Sequence, residues 1–207
     1  DLGQVSGSAP LCYYGFIQGP RSNSPSSMQG WGFKVPSQGL VNFFTERGDD
    51  KRLAVTVLKR GENTPYGDFI LETCPNPYYN GKVCTPSTTN TFTNNSYGLD
   101  HNMRLLRYAE VLLIYAEALA ETGDLKGALD QIHVVRSRVG LGRLEDMNPG
   151  LNLTTDKDAL INEILRERNC EIGAECGDRF YDMIRRKRQD LFTKTLHEIR
   201  VYRLDEN

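Results

Sequence analysis

Arg107-Tyr-Ala-Glu-Val-Leu-Leu-Ile-Tyr-Ala-Glu-Ala-Leu-Ala-Glu-Thr-Gly-Asp-Leu125 decides how this chain folds. From Met103 to Thr122 the residues are apolar on most sides of a helix, with Arg104, Arg107, Glu110, Glu117 and Glu121 forming a narrow polar stripe. Such a helix is expected to be buried between neighbours. Gly123 follows as the residue suited to a left-handed helix stop, and Asp124 is placed to cap the next helix. That second helix is expected from Leu125 to Val139, with Leu125, Ala128, Leu129, Ile132, Val135 and Val139 on one face. Ala116, Ala120 and Ala128 allow the two helices to approach closely.

The pair reads as a helical hairpin of tetratricopeptide type over 103–140. One hairpin cannot bury its own core, so further structure must cover it. Downstream, Thr154-Thr-Asp-Lys-Asp158 supplies N-caps for a helix at 157–172, with Leu160, Ile161, Ile164, Leu165 and Ile172 inward. A further helix, ending near residue 190, is expected to carry Phe180, Tyr181, Met183 and Ile184. Tyr108, Tyr115, Phe180 and Tyr181 are read as core. The alternating tail Leu196–Leu204 reads as a strand.

Residues 1–102 use a different grammar, rich in Gly, Pro, Ser, Asn, Thr and aromatics. Runs such as Ser22–Ser27 and Thr85–Ser96 read as loops. A helix is expected over 36–47, and short strands at Leu53–Leu58 and Asp68–Glu72. This half shows too little regular structure for a core of its own and is expected to lie against the helices. The fold class is therefore mostly α: tetratricopeptide-like hairpins with a loop-rich lobe carrying short β segments. The two parts are 1–102, the aromatic-bearing lobe, and 103–207, the helical scaffold, together forming one C-terminal domain.

Composition narrows the function. With 39% hydrophobic and 25% charged residues, the chain is neither a disordered nor a membrane-spanning sequence. A net charge of -2 gives no basic face for nucleic acid. No signal peptide precedes Asp1, so a targeting sequence or anchor is expected to lie outside this stretch.

The carboxylates Glu163, Glu167, Glu171, Glu175, Asp178 and Asp182 alternate with Arg166, Arg168, Arg179, Arg185 and Arg186. At helical spacing they read as an ion-pair lattice, not as an acid/base pair. The three His residues are isolated, and no zinc, phosphate-loop or nucleophile-elbow motif occurs. No cofactor is expected, with calcium left open. Cys74 and Cys84 flank a Pro/Asn/Gly-rich loop; they read equally as a loop-closing disulfide or as two unpaired thiols. Cys170 and Cys176 read as small apolar packing groups.

The functional lead is aromatic. Tyr13, Tyr14, Phe16, Trp31, Phe33, Tyr66, Tyr78 and Tyr79 sit among Asn, Gln, Ser and Gly. Sugar rings pack their C–H faces on flat aromatic rings, while amides and hydroxyls meet the sugar hydroxyls. Trp31, the one tryptophan, is the first candidate, then Tyr78 and Tyr79, then Tyr13 and Tyr14. The competing reading is that Trp31 and Phe33 anchor this half onto the helices.

Three blocks resemble the SusD/RagB family of outer-membrane glycan-binding lipoproteins of Bacteroidetes. They are Gly30–Val41 with Gly48–Leu53, Met103–Leu141, and Leu165–Arg188. The resemblance implies non-catalytic capture of oligosaccharide at the extracellular face of the outer membrane. It also implies delivery to a SusC-like TonB-dependent transporter, with membrane attachment only through a lipid anchor absent from this chain. The alternative is a peptide-binding or pure protein–protein adaptor on the same scaffold. Members of that family are longer and carry a "P-I-P" block not found here. Asn169, Cys170 and Gly173 replace the more usual residues of the last block.

Overall fold

The computed structural model describes residues 13–21, 30–84, 86, 104–175 and 178–187. The chain divides into two compact units, Asp1–Met103 and Arg104–Asn207, each with its own hydrophobic cluster. The fold is mostly α, with one short two-stranded sheet among the described residues.

In the first unit a single turn, α1 (Tyr13–Phe16), precedes a segment at 30–33 that runs back along it. The backbone N–H groups of Trp31, Gly32 and Phe33 donate to the carbonyls of Phe16, Gly19 and Ile17 at 3.1, 2.9 and 2.8 Å. Helix α2 (Gln38–Glu46) starts where the Ser37 side chain accepts from the Leu40 N–H. Helix α3 (Asp50–Thr56) is capped by Asp49, whose carboxylate also takes the buried Arg52 guanidinium at 2.6 Å. The strand expected at Leu53–Leu58 is therefore largely helix, because the cap at Asp49 sets the backbone before the β-branched residues arrive. Only β1 (Val57–Lys59) is extended, paired antiparallel with β2 (Tyr78–Asn80) in the register Leu58 opposite Tyr79.

The segment that reads as a loop in the sequence thus supplies β2. The expected strand at Asp68–Glu72 reduces to one bridge, Asn63 with Phe69. Leu58, Ile70, Cys74, Tyr79 and Cys84 pack together, with Val35 and Leu71 against them. The lobe therefore has a core of its own, contrary to expectation, built from few but long-range contacts that local patterning does not display.

In the second unit α4 (Tyr108–Thr122) and α5 (Leu125–Ser137) form the hairpin. Gly123 adopts φ 94, where a side chain is disfavoured, and the Asp124 carboxylate accepts from the Gly127 N–H. Helix α4 begins at Tyr108 and not at Met103: Arg107, the N-cap, is extended. A short α6 (Leu144–Met147) and a 3₁₀ turn (Pro149–Leu151) lead to α7 (Lys157–Ile172). Leu113, Ala116 and Ala120 meet Leu129, Ile132, Leu160 and Ile164 in one continuous core. Helix α8 (Asp178–Arg185) follows. The tail strand proposed at Leu196–Leu204 and the extension toward residue 190 lie outside the described residues.

One expectation for these helices is overturned. Tyr108 is 74% exposed and Tyr181 64%, and Tyr115 and Phe180 are also exposed. On α4 the reason is that two members of the polar stripe face inward. Glu110 and Glu117 are turned toward Arg168 and Arg185, which leaves Val111, Ile114 and Tyr115 outward.

Candidate functional site

The aromatic surface of the first unit begins with a close approach. A Cβ on Gly30 would stand 2.0 Å from the Phe16 carbonyl oxygen, so only glycine lets the 30–33 segment lie against α1. That contact presents Trp31 and Phe33, which are 45% and 56% exposed. Trp31 packs edge-on against buried Phe16 (centroids 5.7 Å, planes at 75°) and against Phe33 (6.0 Å, 73°). The two outward rings make a corner, not a flat platform. Trp31 packs on Phe16 within the first unit and is open to solvent.

Polar groups border the corner. The Asn76 side-chain amide donates to the Gly32 carbonyl at 3.2 Å. The Arg21 Cβ lies 3.4 Å from where a side chain on Gly32 would begin. Lys34 adopts φ 50, a left-handed conformation costing about 1–2 kcal/mol for a residue with a Cβ. Its Nζ stands 5.7 Å from the centroid of the Tyr14 ring.

The other nominated tyrosines divide. Tyr78 is half-buried, and its hydroxyl donates to Gln38 Oε1 at 2.7 Å. Tyr79 is fully buried. Its ring closes the core under Gly32, and its hydroxyl accepts from the Asn76 N–H at 3.1 Å. Burial, the largest influence, pushes its phenol above the ordinary value. Tyr79 therefore supports the site from below and offers no face to a ligand; strand alternation sends it inward where Tyr78 points outward. The Tyr13 side chain lies outside the described residues. Trp31 and Tyr14 are thus linked through Phe33 and Lys34, while Tyr79 lies beneath. Phe33, Arg21, Lys34 and Asn76 escaped nomination, although Asn76 lies between two prolines in the loop already singled out.

The loop at 75–83 is held without a disulfide. Cys74 and Cys84 are buried thiols of the same cluster, not joined by a disulfide. Burial pushes the Cys84 thiol up to about 12, so it stays protonated and unreactive at neutral pH. Arg60 replaces a covalent closure by donating to the Cys74 carbonyl at 3.2 Å. Cys170 is likewise a buried thiol outside any disulfide; Cys176 lies outside the described residues.

The carboxylates of the helical unit are ion-paired. Glu167 meets Arg136 at 2.8 Å in full burial, and Glu171 receives both Arg107 (2.9 Å) and Arg138 (2.7 Å). Asp182 receives Arg168 at 2.8 Å and Arg185 at 2.7 Å. Glu117 binds Arg185 and Arg186. Burial pushes the Glu117 carboxyl up, but hydrogen bonds from Arg185 and Arg186 outweigh it and hold the group below its ordinary value. This is the opposite of what a general acid needs. Among the described residues no group of three or more His, Cys, Asp or Glu is placed to hold a metal ion, and no helix is long and apolar enough to cross a membrane.

The SusD family model matches residues 59–207, and the chain belongs to the SusD family. It is 30% identical over 204 residues to SusD-like protein P2 of Formosa agariphila, covering 90% of this chain and 38% of that protein. It is 37% identical over 91 residues to SusD-like protein P38 of the same organism, covering 42% of this chain and 17% of that protein. The chain thus spans well under half the length of these relatives.

Among solved structures, a laminarin-binding SusD-like protein superposes with a TM-score of 0.62 at 24% identity, over 84% of this chain and 36% of that one. A SusD superfamily protein from Bacteroides vulgatus superposes at 0.64 and 22% identity, over 86% and 38%. The matched family span starts at residue 59, so the Trp31–Phe33 corner lies before it.

Proposed function

We propose that this chain is part of a non-catalytic surface protein that binds oligosaccharide and delivers it to a SusC-like TonB-dependent transporter. The observation that carries the reading is the exposed Trp31–Phe33 corner, whose Gly32 carbonyl accepts from the Asn76 side-chain amide. Aromatic faces with nearby amides are the surface a sugar ring needs. One structural relative, by its description, binds laminarin, a polysaccharide. The paired state of the helical carboxylates favours binding over hydrolysis. Attachment to the outer membrane would come from a lipid anchor elsewhere in the full-length protein, and the ligand would be held weakly enough to be released for import. No cofactor is assigned.

A second reading, a protein- or peptide-docking module, is favoured by the exposed apolar side chains of α4 and α8: Tyr108, Val111, Ile114, Tyr115, Phe180 and Tyr181. Trp31→Ala separates the two. The sugar-binding reading predicts that it abolishes retardation in polysaccharide-containing native gels while the chain keeps its folded circular dichroism. Full retardation by a Trp31→Ala protein of normal fold refutes the assignment of this site.

A further inference from the structure

The charge around the aromatic corner is one-sided. From Leu2 to Thr45 the chain carries no Asp or Glu, and its charged residues there are Arg21 and Lys34. From Thr73 to Leu99 there is again no acid, and the one charged residue is Lys82. The rest of the chain is acidic enough to bring the total to -2, so this stretch stands apart from the average. The structure brings described parts of these segments together, the Asn76 amide donating to the Gly32 carbonyl. Arg21 bridges Gly30 in parallel, its Cβ stands beside Gly32, and Lys34 follows Phe33 directly. Both Arg21 and Lys34 are exposed.

We infer that the ligand of the Trp31–Phe33 corner is an anionic glycan, whose uronate carboxylates or sulfate esters are met by Arg21 and Lys34. This rests on the sugar-binding reading of the same corner. An arginine fork matches the two oxygens of a carboxylate or sulfate, and a lysine supplies a mobile point charge. A neutral sugar needs neither. Carboxylates in the surrounding loops would repel such a ligand, and the loop sequences hold none. The left-handed backbone at Lys34 is consistent with a side chain held for a purpose: it folds the ammonium back over the Tyr14 ring at 5.7 Å, beside the corner instead of away from it.

The test is retardation of the chain in native gels that contain polygalacturonate, its carboxyl-reduced form, dextran sulfate or dextran. The inference predicts retardation by one of the charged polymers and at least tenfold weaker retention by its neutral counterpart. Which charged polymer retards the chain distinguishes uronate from sulfate. The double variant R21Q/K34Q, both positions exposed, is predicted to keep its circular dichroism and lose retention by about tenfold or more. Raising salt from about 50 to about 500 mM is predicted to weaken the wild-type interaction in the same direction. Equal retention by a charged polymer and its neutral form, with R21Q/K34Q unchanged, overturns the inference and leaves sugar binding standing. Retention by none of the four, together with none across a wider neutral panel, overturns both.

Discussion

Gly30 bears more on the site than any aromatic does, because its missing side chain is what lets Trp31 be presented. A methyl group at this position meets the Phe16 carbonyl oxygen at 2.0 Å, and both partners are backbone, which cannot step aside cheaply. Gly30→Ala is predicted to destabilise the first unit by about 2 kcal/mol or more and to weaken sugar binding with it. Thermal denaturation and gel retardation measured side by side check this; an Ala variant of unchanged melting temperature contradicts the packing described.

Tyr79 shows where reading residues one at a time fails. Its neighbours Pro75, Asn76, Pro77 and Asn80 form turns and suggest exposure, yet it faces the core because it pairs with Leu58 across β1 and β2. Tyr78, one residue earlier, faces out by the same alternation. The disulfide was undecidable from spacing alone, since Cys74 and Cys84 pack as neighbours in one core without bonding. The exposure of Trp31, by contrast, fits its setting as a lone tryptophan between glycines in a polar stretch.

The helices were legible to within a few residues wherever caps and period agreed, as at Gly123-Asp124 and over Lys157–Ile172. What the pattern concealed was which side of a helix faces in. Helix α8 docks through its charged face, Asp182 being 4% exposed, and sends Phe180, Tyr181 and Ile184 outward. Charge seated on charge inverts the usual rule for an amphipathic helix, and no periodicity argument reveals it.

This docking has a pH signature. Glu117, which binds Arg185 and Arg186, is held below its ordinary value of 4.5 in the folded state. Its contribution is therefore fully present above that value and is lost as pH falls through the lowered folded value. Acidification below about pH 4.5 is predicted to loosen α8. Glu117→Gln is predicted to destabilise the helical unit at neutral pH and to make its acid limb shallower. An acid limb identical in the two proteins contradicts the assignment.

For the chain as a whole, the two units differ in what they leave uncovered. The first presents an aromatic corner bordered by cations and amides. The second presents Tyr108, Val111, Ile114 and Tyr115 along α4, an apolar strip of the kind that marks an interaction surface. A dye that reports exposed apolar surface is predicted to bind the folded chain. The double change Ile114→Ser and Tyr115→Ser is predicted to reduce that signal with a stability change within about 0.5 kcal/mol per site. A large loss of stability instead would show that these side chains are packed.

The fold class could be read from residues 103–185 because helices write their contacts into local period. The lobe could not, because its core joins Leu58, Ile70, Cys74, Tyr79 and Cys84 through pairings that only the folded chain brings together.

The central claim is that Trp31 carries sugar binding. Affinity electrophoresis of the wild-type chain and Trp31→Ala across a panel of neutral and acidic polysaccharides tests it most directly. Retardation of the wild type by at least one polymer is expected, with its loss in a Trp31→Ala protein that keeps its folded circular dichroism. Retardation that survives Trp31→Ala intact would contradict it.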